Sequence, residues 1–281
     1  MKISVLGNCQ GQIFQSLFAA DRPRFTVLPA PLVYQQSEAD YGEAFRAQME
    51  ESDIVISRHF GNELKFKPAV TENLRKLLGK KLVVFPNIYF NGNMPDFYVP
   101  YTFSGHVFKG PSGDYHSRII RQSFAQGLSV DETYRKMQAP DTFEVYADSY
   151  AKSLKFIEDR EAEADIKVAD IITSHPARDM YSYNHPSNSI LYGVYERLME
   201  QIGQQPLDTS GDPLRPYRLD DVVLPIFPQI GVRNGVADAD CSFVWLVRGP
   251  DRRHREIELR EYIEGCFESY AEEDAALKAG K

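Results

Sequence analysis

Three short apolar runs recur in the first third of the chain, each bounded by charged or turn-forming residues. They lie at residues 3–6, 53–57 and 81–86, and helical patterns at residues 42–51 and 70–78 separate them. Alternation of strands and helices is typical of a parallel sheet flanked by helices. The pattern therefore predicts an α/β fold.

Helical patterning dominates the middle of the chain, so we expect a large helical second half. The predicted helices cover residues 114–126, 129–136, 142–172 and 190–198. A capping box formed by Ser129 and Glu132 marks the second of these starts. A strand is predicted at residues 242–247 and a closing helix at about 255–269. We expect a single domain over residues 1–270 and a frayed tail over 271–281.

Composition narrows the functional classes. With 43% hydrophobic and 26% charged residues, the chain has ordinary globular composition. A formal net charge of -8 argues against a nonspecific nucleic-acid binder, which needs a broad basic face. The three cysteines are too few for a disulfide framework. These features predict a reduced, cytoplasmic protein that does not bind nucleic acid.

Several familiar signals are missing from the sequence. No apolar run approaches the roughly 20 residues that span a bilayer, and the first residues do not resemble an export signal. The spacings of common metal sites and of dinucleotide or P-loop fingerprints do not occur. We therefore expect no transmembrane segment and no metal, and we do not favour redox or kinase chemistry.

Polar residues follow each of the three predicted strands. Because parallel strands present their carboxyl ends at one edge of a sheet, these residues are expected to meet around one ligand. They are Asn8, Cys9, Gln10 and Gly11 after the first strand, Arg58 and His59 after the second, and Asn87 and Asn91 after the third.

Cys9 is the candidate nucleophile. It stands where the first strand gives way, through a glycine turn, to a helix. A helix N-terminus offers unpaired N–H groups and the positive end of the macrodipole, which favour the thiolate. The alternative is a small residue that fills space under a tight turn.

His185 is the candidate base, because an Asn-His-Pro-Ser turn ahead of a helix holds the imidazole near the surface. The alternative is a helix-capping or core histidine, and His175, also followed by proline, competes for the role. Donors for an oxyanion would come from the amides of Asn8, Asn87 and Asn91 and the backbone around Gln10 and Gly11.

Arg58 and His59 form a basic pair at the end of the second strand. A guanidinium binds phosphate or carboxylate oxygens in a bidentate manner, so the pair suits an anionic ligand. A surface ion pair is the alternative. His116 is expected at a helix start, where it would serve as a cap.

Four segments together resemble the WcbI-type family of polysaccharide-biosynthesis acetyltransferases. The resemblance runs from the first strand to about Leu198. The segments are Leu6-Gly7-Asn8-Cys9-Gln10, Phe85-Pro86-Asn87-Ile88-Tyr89-Phe90-Asn91-Gly92 followed by Pro95, Asp114-Tyr115-His116, and Asn184-His185-Pro186-Ser187.

That family is in turn similar to SGNH (GDSL-type) esterases and acyltransferases, which implies an SGNH-like sheet. Cys9 stands at the position of their serine and His185 at that of their histidine. Ser182 occupies the place of the aspartate, and a serine orients an imidazole less well than a carboxylate. Asp179 is an alternative for that role.

The resemblance implies coenzyme A or acetyl-CoA as the cofactor and a sugar hydroxyl of a capsule or surface-polysaccharide precursor as the acceptor. It also implies docking to surface-polysaccharide assembly enzymes. We place Cys9, His185, Gln10 and Asn8 in catalysis. Contacts with the cofactor are expected from Arg58, His59, Asn87, Asn91 and Gly11.

The leading hypothesis is an O-acetyltransferase. A carbohydrate esterase that uses water in place of the sugar would need the same residues, because only exclusion of water separates the two reactions. A noncatalytic glycan- or nucleotide-binding partner is the third hypothesis, in which Cys9 is structural.

Overall fold

The computed structural model describes residues 1–21, 23–30, 33–100, 108–174, 180–208, 210–211, 214 and 218–278, without the side chains of residues 38, 40, 277 and 278. The chain forms two compact units. Unit 1 comprises residues 1–89, 154–175 and 185–219, and unit 2 comprises residues 90–153, 176–184 and 220–281. Each unit is assembled from three separate segments, and the expected single domain over residues 1–270 stays a prediction.

The strands are β1 Lys2–Leu6, β2 Thr26–Leu28, β3 Ile54–Arg58, β4 Leu82–Phe85, β5 Phe97–Tyr98, β6 His116–Ser117, β7 Met180–Ser182, β8 His185–Pro186, β9 Val222–Val223, β10 Val244–Arg248 and β11 His254–Glu258. The α-helices are α1 Cys9–Ala20, α2 Glu38–Glu51, α3 Thr71–Leu78, α4 Arg118–Ala125, α5 Val130–Gln138, α6 Ser149–Glu161, α7 Ala169–Thr173, α8 Asn188–Gln201, α9 Pro228–Asn234 and α10 Leu259–Lys278. Among the described residues, no helix has the length and apolarity needed to cross a bilayer.

The centre of unit 1 is a parallel sheet with strand order β2-β1-β3-β4. Leu6 pairs with Ser57, and Arg58 pairs with Phe85, so β1, β3 and β4 end at one edge of the sheet. The predicted α/β class and the three predicted strands are confirmed. Polar residues that follow these strands are thereby brought together.

Both faces of this sheet are covered. On one face, Leu6 and Val84 join a fully apolar cluster with Phe45 of α2 and Leu74 of α3. On the other face, Phe85 packs edge-on against Phe14 of α1, with ring centroids 5.0 Å apart. Strands buried on both sides need near-continuous apolar runs, which explains why they were recognisable in the sequence.

Unit 2 combines helices with small antiparallel sheets. Strands β9, β10 and β11 form a three-stranded sheet in the order β11-β10-β9, and β5 pairs with β6. Trp245 of β10 stacks on Tyr262 of α10 with ring centroids 3.8 Å apart. Both rings are fully buried, so this stack joins the sheet to the last helix.

Two predicted helices have different bounds. The helix expected over residues 114–126 begins only at Arg118, because Ser117 is its N-cap and accepts a hydrogen bond from the Ile120 N–H (3.1 Å). His116, expected as the cap, lies instead in β6 and is buried. The predicted capping box of Ser129 and Glu132 is confirmed at the start of α5.

The helix expected over residues 142–172 is divided into α6 and α7. Between them, Asp165 bonds the exposed edge of β4, donating its N–H to Val84 O (2.8 Å) and accepting the Val84 N–H (2.7 Å). Glu161 Oε2 accepts the N–H groups of Val168 and Ala169 at the start of α7. Completion of the sheet edge therefore interrupts the helical segment.

The closing helix was placed too early and ended too early. Residues 254–258 form β11, in which Ile257 faces Trp245 and both side chains are buried. Ile257 is the one buried position of this strand, so the segment carries no alternating pattern that the sequence could reveal. The helix α10 then continues to Lys278, so most of the tail that we expected to be frayed is helical.

Candidate functional site

The turn between β1 and α1 requires a glycine at position 7. A Cβ on Gly7 would lie 2.8 Å from the Gly11 Cα, closer than real Cβ contacts occur. Gly11 is itself buried against the backbone of Leu6. Gly11 therefore packs the helix closely on the strand, and its expected contact with the cofactor stays a prediction.

Asn8 is the N-cap of α1, and its Oδ1 accepts the Gln10 N–H (3.1 Å). This bond satisfies one of the free donors at the helix start. The Asn8 Nδ2 donates to Asn87 Oδ1 (3.2 Å), which ties the turn to the segment after β4. No described residue accepts a hydrogen bond from the Asn87 amide hydrogens, so this bond to its oxygen directs them toward a possible ligand.

Gln10 is fully buried and holds the same two segments together. Its Nε2 donates to Ile88 O (2.7 Å), and its Oε1 accepts the Ile88 N–H (3.2 Å). The Gln10 side-chain amide thus bonds both backbone groups of Ile88, as a residue of a neighbouring strand would. These bonds hold the turn in position, and the catalytic role that we expected of Gln10 stays a prediction.

Cys9 is half-buried at the first position of α1. Burial raises the pKa of its thiol, whereas the backbone N–H groups of Gln10 and Cys9 and the Arg58 charge lower it, and the net pKa is raised. The expectation of a lowered pKa was wrong because desolvation of the thiolate outweighs the helix start. The thiol therefore needs a base.

Arg58, at the end of β3, lies over the Phe60 ring (4.6 Å to the centroid) and near the Tyr34 ring (5.4 Å). Burial lowers the pKa of its guanidinium. Its Nε is buried and has no acceptor among the described residues. No carboxylate of the described residues lies within 4.0 Å of the Arg58 guanidinium. The surface ion pair that we considered as the alternative is therefore not formed by Arg58.

A cavity of about 550 Å³ opens beside Arg58. Arg160 of α6 also faces it, and donates to Asn87 O (3.2 Å). Burial lowers the pKa of Arg160, and the nearby Arg58 charge lowers it further. The lining residues are Arg58, His59, Phe60, Gly61, Asn62, Glu63, Val70, Glu72, Asn87, Arg160 and Glu163.

His59 lines this cavity as well, but it has a partner. Its Nε2 lies 3.2 Å from Glu163 Oε2, an exposed carboxylate. His59 therefore pairs with Glu163, as in the surface ion pair that we considered as the alternative. Glu63, Glu72 and Glu163 also line the cavity, but none of them lies within 4.0 Å of Arg58 or Arg160 among the described residues.

His185 forms the short strand β8 with Pro186, and Ser187 caps the helix α8 that follows. Helices α1 and α8 run in the same direction: Phe18 contacts Tyr195, and farther along, Arg24 Nη1 donates to Gln205 O (2.6 Å). The starts of the two helices therefore lie at the same end of unit 1. A contact between the His185 ring and the Cys9 sulfur stays a prediction.

Ser182 and Asn91 belong to unit 2. The Ser182 hydroxyl is buried and bonds Tyr115 Oη (2.8 Å) and Asn184 Oδ1 (3.0 Å). The Asn91 N–H donates to Ser153 Oγ (2.9 Å). Orientation of His185 by Ser182 and a cofactor contact of Asn91 both stay predictions. His175 and Asp179 lie outside the described residues.

Sequence reasoning missed Arg160 and Tyr34. Arg160 lies 75 residues after β4, the last strand of the parallel sheet, and its guanidinium lies over the Phe156 ring of the preceding turn (3.9 Å to the centroid). Tyr34 lies in a short 3₁₀ turn between β2 and α2. Neither residue follows a recognisable strand, so no sequence signal pointed to them. The described residues contain no cluster of three or more His, Cys, Asp or Glu suited to a metal.

Comparisons with known proteins agree with this architecture. The chain is similar in fold to a solved structure of WcbI, described as a novel polysaccharide biosynthesis enzyme in its native form without a disulfide bond between coenzyme A and a cysteine of that protein. The TM-score is 0.75 at 16% identity, covering 96% of this chain and 90% of that one. A search of curated proteins gave no significant match. The family described as "Polysaccharide biosynthesis enzyme WcbI" matches residues 2–207, and the chain belongs to this family.

Proposed function

We propose that the protein is an O-acetyltransferase that moves an acetyl group from acetyl-CoA to a sugar hydroxyl of a surface-polysaccharide precursor. One observation carries this proposal. Arg58 and Arg160 face one cavity without a carboxylate partner among the described residues, at the sheet edge where Cys9 lies. Membership in the WcbI family supports the role in polysaccharide biosynthesis.

The cavity suits coenzyme A. Two guanidiniums that lack carboxylate partners favour phosphate oxygens, which coenzyme A presents in several groups. The volume of about 550 Å³ lies in the range of small-molecule sites. The description of the WcbI structure also relates coenzyme A to a cysteine of that protein. Arg58 and Arg160 would hold the phosphates, and the bound molecule supplies an acetyl group activated as a thioester.

Cys9 is proposed to accept the acetyl group on its sulfur, forming a new thioester as the old one breaks. The raised pKa leaves the thiol protonated at neutral pH, so a base must take its proton. His185 is proposed to take this proton and give it to the coenzyme A sulfur as that thiol leaves. The neutral imidazole is then proposed to take the proton of the attacking sugar hydroxyl and return it to the Cys9 sulfur, which leaves as the free thiol. The common direction of α1 and α8 supports this placement.

Negative charge on the carbonyl oxygen needs donors fixed in advance. The Asn87 amide hydrogens and the backbone N–H groups at the start of α1 are proposed to supply them. Asn8 holds Asn87 in place, and Gln10 holds the adjacent Ile88. In a second route His185 activates the sugar directly, and Cys9 with its neighbours only lines the oxyanion site.

Binding of coenzyme A tests the arginine assignment. Calorimetry should show that Arg160→Ala weakens coenzyme A binding about tenfold or more, because one charge-assisted phosphate contact is lost. Arg160→Lys should recover part of the affinity. Arg75 is already paired with Asp165, so Arg75→Ala is the matched control and should bind normally. Equal affinity in Arg160→Ala and wild type would contradict the assignment.

Product analysis separates transfer from hydrolysis. With acetyl-CoA and a sugar acceptor, the proposal predicts an acetylated sugar and little free acetate. Release of free acetate regardless of acceptor would favour the esterase alternative.

A cytoplasmic location and docking to assembly enzymes are part of the proposal, and pull-down of the full chain from its native cytoplasm tests them.

A further inference from the structure

A second cavity of about 370 Å³ adjoins the first in unit 1. The two cavities share Arg58, Phe60 and Glu63 in their walls. Its lining residues are Val33, Tyr34, Arg58, Phe60, Glu63, Leu64, Lys65 and Phe66. One arginine near the Cys9 sulfur therefore separates a polar space from a more apolar one.

Tyr34 gives this second cavity an aromatic platform. Its ring is 51% exposed, which is unusual for a large side chain that also packs on Phe60, with centroids 5.7 Å apart. Burial raises the pKa of the Tyr34 hydroxyl, the Arg58 charge lowers it, and the Cys9 charge raises it further. An exposed ring beside a cavity offers a flat apolar surface to the C–H face of a sugar ring.

The charges around the platform favour an anion. Arg58 and Lys65 are cationic and Glu63 is anionic, so the lining carries a net positive charge in a chain of net charge -8. Lys65 is exposed and has no side-chain partner among the described residues. A carboxylate or phosphate on a ligand would form ion pairs with both Arg58 and Lys65.

We propose that this second cavity binds the acceptor, and that the acceptor is an anionic sugar whose ring lies on Tyr34 and whose carboxylate or phosphate meets Arg58 and Lys65. The assignment rests on the proposed function, because it places the acceptor on the Tyr34 side of Arg58 and coenzyme A on the Arg160 side. Arg58 then contacts both substrates and fixes where each lies relative to the other.

Ligand-observed NMR and calorimetry test the subsite without turnover. The probes are sodium glucuronate and glucose 1-phosphate, with methyl glucoside as the neutral control. At least one anionic probe should bind wild type about tenfold more tightly than methyl glucoside, and the stronger of the two identifies a carboxylate or a phosphate. Binding of methyl glucoside as tight as that of both anions would overturn the charge assignment.

Two substitutions locate the site. Tyr34→Leu should weaken the anionic probe about tenfold and leave coenzyme A affinity unchanged. Phe156→Leu is the matched control, because Phe156 is also an exposed ring under an arginine, but that arginine faces the first cavity. It should leave the sugar affinity unchanged. Unaltered sugar binding in Tyr34→Leu, or equal loss in both variants, would overturn the subsite.

Failure of the subsite and failure of the proposed function give different results. If the anionic sugar depends on Tyr34 but no acetyl group is transferred, the subsite stands and the transferase is wrong. If acetyl transfer proceeds in Tyr34→Leu with an unchanged acceptor KM, the transferase stands and the subsite is wrong. Thermal unfolding of Tyr34→Leu at the wild-type temperature shows that the variant is folded.

Discussion

Two opposed effects set the pKa of the Cys9 thiol. Partial burial disfavours the thiolate, while N–H groups of the first helical turn and the Arg58 guanidinium favour it. The cation is the one contribution that can be removed without altering the backbone. The same arginine lines both cavities, so its charge is available to substrates as well as to the sulfur.

Arg58→Ala should raise the Cys9 pKa further, because a nearby positive charge stabilises the thiolate. Alkylation of Cys9 by iodoacetamide should then be severalfold slower at pH 8, with the pH–rate profile moved to higher pH. Arg58→Lys should retain most of the wild-type rate. Peptide mapping separates Cys9 from Cys241, which is also partly exposed. A profile that moves to lower pH in Arg58→Ala would refute this account.

At the scale of elements, the β1–α1 turn holds the sulfur only because Gly7 and Gly11 lie in close contact. Gly7→Ala should destabilise the protein by about 1–3 kcal/mol, since backbone atoms must move to admit the methyl group. Denaturant unfolding measures the loss. Cys9 alkylation should change in the same variant, because the turn that carries the thiol is displaced.

Gly11→Ala is the matched control for that experiment. Its new Cβ would lie 3.4 Å from Leu6 backbone atoms, an ordinary contact, and alanine favours a helix interior by up to about 1 kcal/mol. Its stability should remain within about 1 kcal/mol of wild type. Equal loss in both variants would show that the Gly7–Gly11 approach is not what the turn requires.

The helix α10 is held partly by a buried histidine. His116 Nε2 donates to Phe108 O (3.2 Å), which leaves Nδ1 to accept the Tyr270 hydroxyl (3.1 Å). Burial lowers the pKa of His116 from its ordinary 6.5 to about 4, and the Arg121 charge acts in the same direction. The neutral ring is therefore part of the fold of unit 2.

Acid should weaken this arrangement. Because the unfolded chain binds the His116 proton near pH 6.5 and the folded chain only near pH 4, stability falls as pH drops through that window. The loss from this group approaches about 3 kcal/mol below pH 4. Urea unfolding at several pH values should show a smaller acid loss for His116→Gln, although that variant is less stable at pH 7. An identical pH dependence would contradict the assignment.

At the scale of the molecule, the first third of the fold could be predicted and the later parts only in part. Strands β1, β3 and β4 of the parallel sheet are largely buried, so they are apolar runs that stand out locally. The edge strand β2 is short and partly exposed, and it was not predicted. The segment at Asp165 and strand β11 depend on distant partners, Val84 and Trp245, which no local pattern reveals. Pairing with residues distant in sequence determines the structure of both segments.

The candidate site shows the same division. Asn8, Cys9, Arg58 and Asn87 follow strand ends, and topology alone brings them to one edge. Arg160 reaches the cavity from a separate segment of unit 1, and its approach is fixed by packing of α6. The Cys9 pKa could not be predicted either, because the extent of burial is a property of the folded chain.

The units are interleaved along the chain, since each is built from three segments. Segments that return to one unit after crossing the other cannot be cut out as independent domains. This connectivity leaves our expectation of one folding domain over residues 1–270 as a prediction.

The central claim is that the acetyl group passes through the Cys9 sulfur. Intact-mass spectrometry and peptide mapping after incubation with radiolabelled acetyl-CoA, without acceptor, test it most directly. The account predicts one acetyl group on Cys9 in wild type, none on Cys9→Ala, and loss of the label when acceptor is added. Absence of label on Cys9 in an enzyme that still acetylates sugar would contradict it.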